Sequence, residues 1–555
     1  MALITILSLG FCLFTTDHLG KQMEAINDIQ PSLSTSATLS GLLGDRYREA
    51  SRNLLSRPDR YSIDSFKANA SGVPGALWWD WPGDQFGRFF SAIHVAQLNG
   101  WPGTNEFRKA IGDAILPLQQ SDGHFGTDLK GNYRMIQQIS GNAFALRGLV
   151  DAYEDTHEER YLIAARNLGR FLEKAFSQWD DPKEHDAYEF YGHCIDGLVH
   201  LYQQSNGDKW ALELAEKIAK LAGREHHTHH SLSMYRGVIE LALLKHDKAL
   251  LEKAEDYLKW CRENRTVTGG LPEGMPKSDQ DEGCGFADYV VTNLMMHRAT
   301  GNDLYLSEAE NTLVNHLLMC QFSTGGFGHR QFGQEIMGGK LWQGWGGAFG
   351  SENPGCCSIW GQWALGQYAL YAIEKRKDIL MVNLFPSATV KVPGMKGSIK
   401  ITSDFPMQQY VCVEGIDSGG KSMKVSIRVP EGVTPKKVTI GRKLVKTDVK
   451  DGRNVIDRVW NKDDTLGLFY EYKIVLKPSS VSPDKVAVFK GPLCLGISNK
   501  ATDIDKYSYV VIKDNVAYSA DKEGNLGPQL EPVFHDGHLG DTMNPNRVRV
   551  LFDTK

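Results

Sequence analysis

The chain has 555 residues, with 62 Lys and Arg against 67 Asp and Glu, for a net charge of −5. Such a length exceeds one ordinary core and predicts two or three domains. The balance of charge excludes a basic nucleic-acid surface or an anionic-membrane anchor as the basis of function, and 41% apolar with 23% charged residues is the make-up of a globular protein with a large core. Twelve Trp and twenty Tyr would suit a cleft for sugar rings, although most such residues serve as core or rim.

The first fourteen residues, MALITILSLGFCLF, match the length of a signal h-region but carry no basic lead, and they are too short to span a bilayer. The expectation is a secreted or periplasmic protein, with a cytoplasmic one as the alternative. Asn69-Ala-Ser71 and Asn264-Arg-Thr266 have the form of glycosylation acceptors. Residues 15–40 are rich in Ser and Thr, so residues 1–40 read as a signal-like, flexible entry.

From 41 to 377 apolar residues recur at steps of three and four, predicting helices such as Asn142–Tyr153, Arg160–Phe176, Gly192–Gln204, Leu304–Met319 and Ser358–Lys375. Short links such as Ser205-Asn-Gly-Asp208 make successive helices antiparallel neighbours. About a dozen in a row predict a closed helical toroid with a funnel where the loops meet. After 378 the texture is β-branched and alternating, as in Ala388–Val392, Lys424–Val429 and Leu466–Tyr470, which predicts a β-sandwich over 378–500. Residues 501–555 are unassigned apart from a last strand within Arg547–Phe552.

Nine cysteines, an odd number with no ladder spacing, do not read as a disulfide framework. The adjacent Cys356 and Cys357 would strain an intramolecular bridge. Together with Glu282 and Cys284 they offer three thiolates and a carboxylate, a set that suits four-coordinate zinc rather than calcium or magnesium. By spacing alone, four ordinary core residues are the commoner outcome. Glu273 lies in the Gly- and Pro-rich loop Thr268–Gly274, where a carboxylic acid can serve as a general acid/base or simply face solvent. The run His226–His230 precedes a helix, His193 starts another, and Trp78–Trp81 is an aromatic cluster on a turn.

Thr268-Gly-Gly270, Glu282-Gly-Cys284, Glu310-Asn-Thr-Leu-Val-Asn315, Gly355-Cys-Cys357 and Met381-Val-Asn-Leu-Phe-Pro-Ser387, in that order, resemble the β-L-arabinofuranosidases of glycoside hydrolase family 127. Ile427-Arg-Val-Pro430, Asp457-Arg-Val-Trp460 and Val488-Phe-Lys-Gly-Pro492 follow the same order, so the resemblance runs from about residue 45 to 500. It implies an (α/α)6 barrel followed by a β-sandwich. It also implies a zinc ion on Glu282, Cys284, Cys356 and Cys357, with Cys356 as nucleophile and Glu273 as acid/base of a retaining exo-glycosidase. Glu310, His193 and one of His227 and His230 match family residues that contact the sugar. Ala143, with Asn142 beside it as the candidate contact, and His329 stand where the family has His and Tyr, and Ser358-Ile-Trp360 stands where it has Pro-Pro-Asn, so sugar contacts differ while the catalytic set is kept. The partner is then a carbohydrate, with no nucleic acid and no membrane span, and a homodimer is carried as an expectation. The rivals are another (α/α)6 sugar enzyme, such as an unsaturated glucuronyl hydrolase or an epimerase, and a non-catalytic sugar-binding protein with a structural zinc.

Overall fold

Of thirteen α-helices among the described residues, all but the second fall into one of two roles. The thirteen are α1 (Gly41–Leu55), α2 (Ile63–Ser71), α3 (Asp84–Leu98), α4 (Thr104–Ile115), α5 (Ile136–Thr156), α6 (Glu159–Ser177), α7 (Ile195–Gln204), α8 (Lys209–Leu221), α9 (Thr228–Lys245), α10 (Lys248–Asn264), α11 (Gly283–Thr300), α12 (Asp303–Thr312) and α13 (Gly355–Leu370). The computed structural model describes residues 36–554 except 57–60, 75–78, 134, 179–190, 225, 277, 279, 330–335, 339–354, 481 and 536–546. Residues 1–35 of the signal-like entry and Trp78 therefore lie outside the described residues.

Helices α3, α5, α7, α9, α11 and α13 pack side by side, and α13 returns to α3, closing a ring. Helices α1, α4, α6, α8, α10 and α12 each pack outside an inner neighbour. This is the (α/α)6 toroid. The chemistry of the sequence explains the sorting. Helix α6 buries one stripe, Tyr161, Leu162, Ala165, Leu168 and Leu172, and exposes Ile163 on the other face. Inner helix α11 is buried almost all round, from Gly283 to Thr300, because it meets neighbours on every side. Helices α3 and α5 cross so closely that a Cβ on Gly148 would stand 2.2 Å from the Gly87 carbonyl oxygen, so both positions require glycine.

The inner helices start at one end of the ring. Deeper in the ring their charged residues form a buried network. Arg236 donates to Asp196 (2.8 Å) and Asp288 (2.5 Å), and Arg147 donates to Asp151 (2.8 Å), which also accepts from Ser91 (2.6 Å). A cavity of about 70 Å³ lies there, lined among others by His94, His200 and Glu240.

The strands form three sheets. A seven-stranded sheet has the order 36–39, 388–391, 399–403, 410–414, 465–472, 433–440, 443–445. A five-stranded sheet has the order 448–450, 453–459, 422–428, 379–382, 373–376. These two give the sandwich expected from the alternating sequence. Three boundaries differ from expectation. Ser36–Leu39 is a strand paired with Ala388–Lys391, not a loose lead-in. The last inner helix stops at Leu370, because Ile373–Arg376 turns back on Ile379–Val382 as a hairpin with Lys377 at φ 47°. The helix expected over Leu304–Met319 gives way after Thr312 to a wider turn, Leu313–Leu317, and a tight one, Leu318–Cys320.

Residues beyond 500 belong to a third sheet that begins well before that position. Tyr509–Lys513 runs parallel to Leu551–Thr554, which pairs with Lys485–Lys490. Arg547–Arg549 pairs with Ile336–Gly338, so this sheet reaches the segment between His329 and Cys356. No helix among the described residues is long and apolar enough to cross a membrane.

Candidate active site and metal centre

Two helix starts bring the four candidate ligands together. Glu282 is the N-cap residue of α11, and Cys284 lies in its first turn. Cys356 and Cys357 lie in the first turn of α13. The positive end of a helix dipole favours anions, so both thiolates and carboxylate are well placed there. Their ligand atoms all lie within 4.8 Å of one another, and the Cys284 and Cys357 sulfurs are 3.5 Å apart. Donors around a tetrahedral zinc with bonds of about 2.3 Å would be separated by about 3.8 Å. The donor set fits that ion in softness, number and spacing.

The electrostatics of the cluster have one dominant feature. Cys356 accepts hydrogen bonds from Cys284 and Cys357 and feels the Arg88 charge, which holds its thiol well below the ordinary range. Burial pushes Cys284, Cys357 and Glu282 the other way. Cys356 is thus the sulfur most disposed to be a thiolate.

Glu273 is held beside this cluster by backbone stitching. Thr228 N–H donates to the Glu273 carbonyl (2.8 Å), the Thr228 hydroxyl to the Pro272 carbonyl (2.6 Å), and Met275 N–H to the His226 carbonyl (2.6 Å). The loop is thereby sewn to the start of α9. The Glu273 carboxylate has 13% of its side chain exposed, and burial together with the Cys356 charge raises it from 4.5 to about 7. His227 Nε2 stands 3.8 Å from Glu273 Oε1 and 3.9 Å from Glu282 Oε2, and His329 Nδ1 stands 3.9 Å from Glu273 Oε2.

The remaining wall is a cage of imidazoles. His227 stacks on His230 with ring centres 4.1 Å apart, and His230 meets His193 at 4.9 Å. The His193 Nδ1 pairs with the Ser140 hydroxyl at 2.8 Å. Burial holds His193 and His230 below the ordinary imidazole range, His230 at about 3, and takes His329 down to about 4. Neutral imidazoles can both donate to and accept from sugar hydroxyls. Trp81 comes within 6.1 Å of His230, so one member of the aromatic turn reaches the rim.

Two expected sugar contacts are placed elsewhere. Asn142 is fully buried, and its amide holds a neighbouring loop: it accepts from Phe125 N–H (2.8 Å) and donates to the carbonyls of Phe125 (2.9 Å) and Gln138 (2.8 Å). Both amide hydrogens and one lone pair of the oxygen are spent on this loop. Glu310 faces Tyr368, twelve residues beyond Cys356 on the same helix and hence about 18 Å along its axis. There it accepts from both terminal nitrogens of Arg428 (3.3 and 3.0 Å) and joins the toroid to the five-stranded sheet. A buried carboxylate needs a cation, and that need sets its position. Asn69 is also fully buried, accepting from Gly83 and Gln85 N–H, so the first sequon offers no free acceptor.

The structure adds residues that spacing did not reveal. Arg88 on α3 donates from Nε to Asp84 (2.6 Å) and lies over the Phe144 ring at 3.6 Å. Asp288 accepts from His229, Arg236 and Trp360, fixing the ring one turn beyond Cys356. A buried charged pair four residues apart on an inner helix, Asp84 and Arg88, is the signal that could have found them.

Residues 79–327 match the family description "Beta-L-arabinofuranosidase, GH127 catalytic domain", and residues 379–471 match "Beta-L-arabinofuranosidase, GH127 middle domain". No curated protein matches the chain. Among solved structures, a GH127 β-L-arabinofuranosidase from Geobacillus stearothermophilus T6 is similar at TM-score 0.72 and 14% identity, covering 94% of this chain and all of that one. A second GH127 β-arabinofuranosidase gives TM-score 0.71, 16% identity and coverage of 94% and 97%. At these identities the structures speak for the fold, whereas the two matched descriptions together take in more than half of the sequence. The chain belongs to the GH127 β-L-arabinofuranosidase family and is a glycoside hydrolase.

Proposed function

We propose that the protein is a zinc-dependent retaining exo-glycosidase that releases a terminal furanose of the β-L-arabinofuranose type from a glycan. The observation that carries this reading is the meeting, at one end of the helical ring, of a four-donor cluster containing a depressed thiol with a buried carboxylic acid raised to about 7. One group supplies an attacking sulfur and the other a proton near neutral pH.

Glu282, Cys284, Cys356 and Cys357 would hold the zinc, which when bound supplies a fixed thiolate and its orientation. The residues then act in two steps. The Cys356 sulfur attacks the anomeric carbon as the bond to the leaving oxygen breaks, and the Glu273 proton passes to that oxygen. A thioglycosyl-enzyme results. Glu273, now a carboxylate, takes a proton from water, the water oxygen attacks the anomeric carbon, and the electrons of the carbon–sulfur bond return to Cys356. Two inversions at one carbon leave its configuration unchanged. The caged imidazoles of His193, His227 and His230, with His329 beside Glu273, bind the sugar hydroxyls and limit water.

The test is hydrolysis of a panel of aryl furanosides and pyranosides, followed by NMR of the first-formed anomer. A furanoside cleaved with retention is expected. Cleavage with inversion, or turnover of pyranosides alone, would reject the reading.

A further inference from the structure

We propose that Arg88 is a positioning residue of the cysteine cluster, the buried counter-cation that holds the metal-loaded set in place. The proposal rests on the zinc reading above and adds to it a demand of charge. Three thiolates and one carboxylate carry four negative charges, and a divalent ion cancels two. The surplus lies in a water-poor pocket, where unbalanced charge is costly.

Few permanently charged groups nearby can answer it. Burial keeps His193, His229 and His230 from holding a proton. Arg236 is committed to Asp196 and Asp288. Arg88 is different. Its Nε binds Asp84 at 2.6 Å, while its buried Nη1 has no hydrogen-bond partner among the described residues. Its guanidinium is walled by two aromatic faces, Phe144 at 3.6 Å and Trp360 at 4.8 Å. Aromatic faces hold a cation in place without neutralising it. Trp360 is four residues beyond Cys356 on α13, so Arg88 meets the face of that helix that carries the thiol. Against the pull of burial, the charge of Asp84 and then those of Cys284 and Cys356 make the guanidinium more basic. An arginine suits this post better than a lysine, because a planar fork can bind Asp84, stack on Phe144 and still present a free edge.

The experiment measures zinc retention by the full chain against a chromogenic chelator of known affinity, with circular dichroism to confirm folding. Arg88→Met should bind zinc at least about tenfold more weakly, the scale set by losing one buried charge on the Cys356 side of α13. Arg88→Lys should recover most of that loss. Asp84→Asn removes a competing negative charge and should bind zinc as tightly as the parent or more so. Should Arg88→Met not fold, Arg88→Lys and Asp84→Asn still decide the matter. A folded Arg88→Met with unchanged zinc affinity overturns the proposal alone, as does an Asp84→Asn variant weakened like it, which would mark a packing role. A parent protein that takes up no zinc overturns the metal reading and this proposal with it.

Discussion

The sulfurs of Cys284 and Cys357 lie 3.5 Å apart although 73 residues separate them in the chain. They meet because α11 and α13 are adjacent inner helices that begin at the same end of the ring. Gly283 lies in this approach: a Cβ there would stand 3.4 Å from the Cys357 Cβ.

Replacing Cys356 should remove the attacking atom without removing the fold. Cys356→Ser should lower kcat by at least about a thousandfold, the range seen when a nucleophile is lost, with an unchanged circular dichroism spectrum. A variant that keeps half the parent rate would assign the nucleophile elsewhere.

The state of Glu273 sets a pH limb. Burial and the neighbouring thiolate raise its carboxyl from 4.5 to about 7, so the proton is present below 7 and lost as the pH climbs through it. The rate of cleavage for a poor leaving group should therefore fall above about pH 7. Glu273→Gln should be slow and lack this limb, and azide should restore part of the rate of Glu273→Ala with activated aryl substrates. An identical alkaline limb in Glu273→Gln would remove the assignment.

Glu310 serves as a brace. Glu310→Ala leaves Arg428 buried without its partner, and breaking such a pair costs about 3–5 kcal/mol. Denaturant unfolding should show that loss, while KM at a temperature where the variant is folded should match the parent. A raised KM with unchanged stability would restore Glu310 to the sugar site.

The buried charged network of the ring makes its own contribution to pH stability. Burial alone would lower His94, but the hydrogen bond to Asp155 and the charges of Asp151, Asp155 and Glu154 outweigh it and raise the imidazole from 6.5 to about 9. A folded-state value above the unfolded one stabilises fully below about pH 6.5 and is lost as pH rises through about 9. The stability gap between the parent and His94→Gln should thus be wide at pH 6 and narrow at pH 10. A gap that widens with pH would mean that His94 is buried neutral.

The α3–α5 crossing tolerates no side chain. Gly148→Ala places a Cβ against the Gly87 carbonyl, so the helices must part, at a cost of about 1–3 kcal/mol. Because Arg88 follows Gly87 directly, thermal unfolding and activity should fall together. A variant as stable as the parent would show that the crossing can shift freely.

The toroid was legible because helical periodicity persists from residue 41 to 377, and the sandwich because alternation replaces it. The ligand set was legible because Glu282, Cys284 and the Cys356–Cys357 pair carry a composite pattern that chance seldom assembles. Other features depend on tertiary partners that a local reading does not see. Glu310 matched by its motif, yet Arg428, more than a hundred residues later, determines where it points. Asn142 has an ordinary place in a helix until the Phe125 backbone comes to meet it. Residues beyond 500 pair with strands that precede them, so their own sequence shows only short, mixed stretches. Arg88 carries no signal in the local sequence, and its burial depends on Phe144 and Trp360, which come from other helices.

Metal content of the purified chain tests the central claim most directly. Elemental analysis should find about one zinc per chain, lost together with glycosidase activity on chelation and regained with it on adding zinc back. A fully active preparation free of zinc would contradict the account.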